Sequence, residues 1–140
     1  MKKFFDKDRN PTSLAWIALL RMMLGVLFLT TWGSNVSKGL YTPDGLQFFF
    51  TEVFPQSANS LTWYAAFINN VILPIRVFFG PFQLIGEFIF GFFLLIGLFT
   101  PHSAFVAGFF IINTFLATYG HDWPWSYAMI LGVLFVVFMT

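Results

Sequence analysis

The sequence has no cysteine and little charge, with seven lysines and arginines and six aspartates and glutamates among 140 residues. Without thiols there are no disulfides, thiolate zinc sites, iron–sulfur clusters or c-type haem attachments, so any redox chemistry has to come from a bound organic molecule or a partner. The net charge is only +1. Its basic residues are too few and too scattered for a nucleic-acid footprint, and that partner class is excluded. What the chain does have is apolar side chains, 58% of the total, including 22 phenylalanines. That balance belongs to integral membrane proteins, for which the bilayer is the solvent.

Four long apolar segments predict an all-α integral membrane protein, a bundle of four transmembrane helices in a single membrane domain, 1–140. The expected spans are about 14–32, 81–99, 101–119 and 125–140. Asn10-Pro11-Thr12-Ser13 supplies a breaker and an N-cap for the first. The first segment reads as a span and not as a cleaved signal, because it is long and contains Arg21. Pro81 and Pro101 suit the first turns of the second and third, which form a tight antiparallel hairpin. The turn Gly120-His121-Asp122-Trp123 precedes the fourth. Lys2, Lys3, Lys7 and Arg9 stand before the first span, whereas Lys38 and Arg76 are the only basic residues in the loop after it. That asymmetry puts both termini in the cytoplasm of a bacterial or archaeal inner membrane.

The loop at 33–80 is too long and too apolar for a passive connector. Leu46, Phe49, Phe50, Val53 and Phe54 follow Thr42-Pro43-Asp44 at helical spacing, with Gln47, Thr51 and Glu52 opposite. Ser60 is the expected cap of a second helix, in which Leu61, Tyr64, Ala65, Ile68, Val71 and Ile72 share a face until Pro74. Both read as interfacial amphipathic helices. Trp63, Trp123, Trp125, Tyr41, Tyr64 and Tyr119 suit the aromatic belt on that side.

Arg21 in the first span and Glu87 in the second are ionisable groups at membrane depth, where each marks a structural lock or a working site. Each has a glycine four residues on, Gly25 and Gly91, that permits close helix approach. Depth arithmetic at about 1.5 Å per residue brings Arg21, Glu87 and Asn113 or Thr114 into one cluster. Arg21 and Glu87 are the catalytic candidates, and Trp32, Lys38, Asn113 and Thr114 are the further cofactor-binding candidates. No metal site is expected. His102 and His121 fall on opposite sides of the membrane and cannot share an ion, and as lone interfacial histidines they read as polar anchors, not haem or chlorophyll ligands. The expected small-molecule partners are quinone and lipid, with no covalently bound cofactor.

Leu20-Arg21-Met22-Met23-Leu24-Gly25-Val26-Leu27-Phe28, continuing to Trp32-Gly33 and Lys38-Gly39, resembles the opening motif of the DoxX/DoxD membrane proteins. Glu87, Gly91 and Leu94-Leu95-Ile96-Gly97-Leu98-Phe99-Thr100 resemble that family's second motif. The likeness is nearest the DoxD type, the small membrane subunit of thiosulfate:quinone oxidoreductase. A basic residue usual after the second motif is replaced here by Pro101-His102. The resemblance implies a four-helix membrane bundle connected to quinone-linked electron transfer. Two expectations follow: an accessory subunit among other membrane subunits of a respiratory or photosynthetic complex, mainly structural, or a subunit of a quinone-linked oxidoreductase. A small transporter is less well supported, since neither repeats nor broken helices occur.

Overall fold

The computed structural model describes residues 11–121 and 124–140, and among these the chain is all-helical. The basic group Lys2, Lys3, Lys7 and Arg9, and Asp122 and Trp123 of the last turn, lie outside the described residues. Six α-helices are named here: α1 (Pro11–Ser37), α2 (Pro43–Phe48), α3 (Thr62–Phe67), α4 (Arg76–Ile96), α5 (Thr100–Ala117) and α6 (Pro124–Met139). Wider π turns extend α2 over Phe49–Val53 and α3 over Ile68–Ile72. Three helices, α1, α4 and α5, are long and apolar enough to cross a membrane, and α6 is a shorter apolar helix.

The long helices are bounded by glycine more than by the predicted breakers. One internal glycine costs only about 1 kcal/mol, so α1 runs past Gly33, where the first span was expected to stop. It ends instead at Gly39, whose φ of +68° is left-handed. There the Gly39 and Leu40 amides reach back to Val36 and Asn35, closing a Schellman turn. Gly97, at φ +82°, ends α4 the same way, with the Leu98 amide on the Phe93 carbonyl. The second span therefore stops at Ile96 rather than Phe99, and it starts earlier too. Pro81 lies inside the helix, because the Phe78 and Phe79 amides already bond Ile75. At the front of α1, Thr12 and Ser13 are already helical, so Ser13 is not its cap.

Packing of α1 on α4 and α6, and of α5 on α4 and α6, closes a four-helix bundle. Its core is Leu24, Phe28, Phe90, Leu94, Ala104, Ala107, Ile111, Leu134 and Val137. Phe28 and Phe90 meet edge to face with centroids 5.0 Å apart. The α1–α4 contact is glycine-mediated on both sides, as their spacing predicted. A Cβ on Gly25 would stand 2.5 Å from the Leu95 amide nitrogen, and one on Gly91 would stand 3.1 Å from the Phe28 Cβ. In a membrane such close approach replaces the hydrophobic drive that water would supply.

The 38–75 segment folds onto one end of the bundle, here the loop end; the Gly97–Thr100 turn marks the other, the turn end. Leu46, Phe50, Tyr64, Ile68 and Ile72 form a second core with Ala117 of α5. Thr42 caps α2 as its Pro43-Asp44 context suggests, its hydroxyl accepting from the Gly45 amide at 3.0 Å. Ser60 does not cap α3. The neighbouring Asn59 side-chain oxygen instead accepts from the Leu61 amide at 2.9 Å, an Asx turn that the shorter serine side chain makes less well.

Candidate functional site: the Glu87 cluster

Glu87 is 2% exposed, in the middle of α4. Both of its oxygens are occupied by side chains of the same chain. The Tyr41 hydroxyl donates to Oε2 at 2.6 Å, and the Gln83 amide nitrogen, one turn earlier on the helix, donates to Oε1 at 2.8 Å. Asn35 at the end of α1 in turn donates to the Tyr41 oxygen at 3.4 Å. The cluster ties α1, the turn after it and α4 into one chain of hydrogen bonds.

Glycine places Tyr41. The left-handed Gly39 turns the chain back over the bundle, and Gly80 leaves room on α4 for the Tyr41 carbonyl, which any Cβ there would strike. Gly45 gives the Gly39 carbonyl room in the same way. So seated, the Tyr41 ring is buried. Burial, and then the Glu87 carboxyl it donates to, push its phenol well above the ordinary tyrosine range. It stays a proton donor throughout the physiological range. A groove of about 260 Å³ lies beside it, lined by Val36, Gly39, Tyr41, Thr42, Pro81, Leu84 and Ile85.

Arg21 does not join this cluster. Its guanidinium packs on Gly97 at the turn end, and its Nε is buried with no hydrogen-bond partner among the described residues. The register explains why. Gly25 faces Leu95, Gly91 faces Phe28, and the Trp32 indole donates to the Leu84 carbonyl at 2.9 Å. Arg21 is thus level with Gly97 and Glu87 with the helix one turn before Asn35, an offset of about 15 Å at the helical rise. Side chains also lean towards the N-terminus of their own helix. On antiparallel helices that carries these two apart, Arg21 to the turn end and Glu87 to the loop end. What Arg21 meets is the C-terminus of α4, whose free carbonyls favour a cation.

The remaining candidates are dispersed. Asn113 accepts from the buried Tyr64 hydroxyl at 2.7 Å and donates to the Phe109 carbonyl at 2.7 Å. Thr114 bonds back to Phe110 of its own helix. Trp32 spends its N–H on α4, and Lys38 is exposed in the turn. His102 and His121 are both exposed, near opposite ends of α5; His102 borders a groove of about 170 Å³ with Pro101, Phe105, Val106 and Phe138. No group of three metal-ligating side chains occurs among the described residues.

Sequence reasoning missed Tyr41, Gln83 and Asn35. Gln83 had a local signal, its i,i+4 spacing to Glu87. Tyr41 and Tyr64 were expected in an aromatic belt, yet both are buried with bonded hydroxyls. Also missed was an amide clamp on the end of α5. Gln56 donates to the Ala117 carbonyl at 2.9 Å and Asn59 to the Leu116 carbonyl at 3.0 Å, satisfying groups that a helix terminus leaves open. No family model, curated protein or solved structure matches this chain.

Proposed function

We propose that the chain is a DoxX-like integral membrane subunit with a mainly structural role in a larger respiratory or photosynthetic electron-transfer complex. In this reading the shorter α6 joins α1, α4 and α5 in crossing a bacterial or archaeal inner membrane, with both termini in the cytoplasm and the 38–75 segment on the other side. The observation that carries it is the closure of the Glu87 cluster: each carboxylate oxygen is bonded within the chain, and the residue is 2% exposed. A membrane carboxyl so occupied works as a pin between helices and a loop. The close α1–α4 contact at Gly25 and Gly91 supports the same reading, since it leaves no space between those helices at mid-bundle. Exposed phenylalanines such as Phe78, Phe82, Phe105, Phe109 and Phe135 offer surface to lipid and to neighbouring subunits.

A second reading, a membrane subunit of a quinone-linked oxidoreductase of the thiosulfate type, is favoured by one feature. The groove at the loop end has Tyr41 as a wall, and Tyr41 holds Glu87. There a quinone head would meet a phenol with a carboxylate behind it, suited to passing a proton.

Purification in mild detergent from native membranes, with mass spectrometry of the co-migrating subunits, tests the first reading. In that complex Glu87→Gln is expected to weaken assembly while electron transfer per assembled complex persists. Intact assembly with quinone reduction abolished would transfer the assignment to the oxidoreductase. Orientation is tested separately by Ser57→Cys in this cysteine-free chain, which is expected to react with an impermeant thiol reagent from the periplasmic side only.

A further inference from the structure

The helix over 62–72 has three distinct faces, not the two of an ordinary amphipathic helix. Tyr64, Ile68 and Ile72 are buried against the bundle. Trp63, Phe67 and Val71 are exposed, Trp63 at 63%. Ala66, Asn69 and Asn70 make a second exposed edge, small and polar. Val71 was expected on one face with Tyr64, Ile68 and Ile72. Residues four apart drift by about 40° in an α-helix, and the wider π turn at Ile68–Ile72 offsets part of that drift. It thereby aligns Val71 with Trp63 and Phe67, and Ile72 with Tyr64 and Ile68.

Two further observations identify what covers the exposed apolar edge. No charged residue occurs between Glu52 and Arg76, a composition suited to acyl chains more than to water or to a charged protein surface. The edge also runs on along the chain through exposed Ile75 into Phe78 and Phe82, the most exposed large apolar side chains of α4, itself one of the helices apolar enough to cross a membrane. Trp63 heads this stripe, and tryptophan favours the boundary between acyl chains and headgroups.

We infer that the 62–72 helix is an inserted edge of the membrane domain: Trp63, Phe67 and Val71 enter the acyl region of the leaflet at the loop end, and Ala66, Asn69 and Asn70 stay at headgroup level. The partner is the lipid surface, and the face is not a docking site for another protein. The insertion would fix the depth of the whole 38–75 segment, and through Tyr64 and Asn113 that of α5.

The absence of cysteine makes site-directed spin labelling direct. The full chain carrying Trp63→Cys, Phe67→Cys, Val71→Cys, Ala66→Cys, Asn69→Cys or Asn70→Cys, one at a time, is labelled in phosphatidylcholine vesicles. Collisions with oxygen are then compared with collisions with a water-soluble nickel chelate. Oxygen is expected to dominate at 63, 67 and 71, and nickel at 66, 69 and 70. Where a labelled variant does not fold, the native chain gives the same answer: brominated lipid should quench its fluorescence more than that of Trp63→Phe. Nickel dominating at 63, 67 and 71 would overturn the inference. So would exclusion of both reagents there, which would mean that protein covers the edge, or equal quenching of the two chains.

Discussion

Glu87 and Arg21 stand on facing helices, carry opposite formal charges and each precede a glycine by four residues, yet their surroundings are opposite. Glu87 accepts from Tyr41 of the turn and Gln83 of its own helix, with Asn35 of α1 behind Tyr41, whereas Arg21 rests on a glycine turn with a buried Nε that has no partner among the described residues. The two ends of the bundle differ accordingly. At the loop end long-range polar contacts hold the connecting segment down, through Tyr41–Glu87, Tyr64–Asn113 and the Gln56–Asn59 clamp. At the turn end the contacts are local, with Gly97 and Phe99 both at positive φ and the Ser103 hydroxyl reaching the Leu98 carbonyl at 3.4 Å. Ionisable groups of opposite sign on facing helices can therefore do different work, and pairing cannot be inferred from sign and a depth counted along the sequence.

The largest effects are expected at glycines, one of them at the turn end. Gly97→Ala puts a side chain into a left-handed position, costing roughly 1–2 kcal/mol, and also into the Arg21 guanidinium. Combining it with Arg21→Ala should recover the collision and leave only the backbone cost, so thermal unfolding in detergent should give a double variant more stable than the two single losses added together. Strict additivity would remove Arg21 from that turn.

Comparable effects are expected at the interhelical glycines. Gly25→Ala meets Leu95 backbone and should cost about 1–3 kcal/mol by overpacking. Gly91→Ala meets the side chains of Phe28 and Leu29 at 3.1–3.3 Å, which can shift, and should cost less. Equal losses in the same unfolding assay would mean that the helices are not in this register.

At the loop end Asn59→Ala should remove about 1–3 kcal/mol, because it strips donors from buried α5 carbonyls. Limited proteolysis should then cut the 55–61 segment faster while the bundle persists. Unchanged cutting would argue against the clamp.

The smallest effect is confined to alkaline pH. Burial pushes Tyr64 up to about 12 and raises Tyr41 as well. Folded phenols hold their protons more tightly than unfolded ones, so the stability they carry is whole below the ordinary tyrosine value of about 10 and is lost as pH rises through the folded values. The unfolding midpoint should respond to neither tyrosine near neutrality and fall above about pH 10. Absorbance of tyrosinate appearing fully at the ordinary value would show that these hydroxyls are not buried.

Much of the architecture was legible because its signals are local. The apolar runs marked the long helices, Thr42-Pro43 marked the start of α2, and Gly25 and Gly91 marked the α1–α4 seam. The site was only half legible. Glu87 stood out by its charge in an apolar run, but Tyr41 is 46 residues away and reaches it through a turn set by Gly39 and Gly80. No periodicity encodes such a contact. The expected Arg21–Glu87 pair failed for a different reason. Depths were counted as if the two helices ended at one level, whereas α4 ends beside Arg21, well inside α1, and the opposed lean of side chains on antiparallel helices widens the gap.

The most direct measurement is a pair of double-mutant cycles on unfolding free energy, Tyr41→Phe with Glu87→Gln and Arg21→Met with Glu87→Gln. Tyr41 and Glu87 share a hydrogen bond and should show a coupling of about 0.5–3 kcal/mol, whereas Arg21 and Glu87 share no partner among the described residues and should be additive within about 0.5 kcal/mol. Strong coupling of Glu87 to Arg21, with none to Tyr41, would contradict the account.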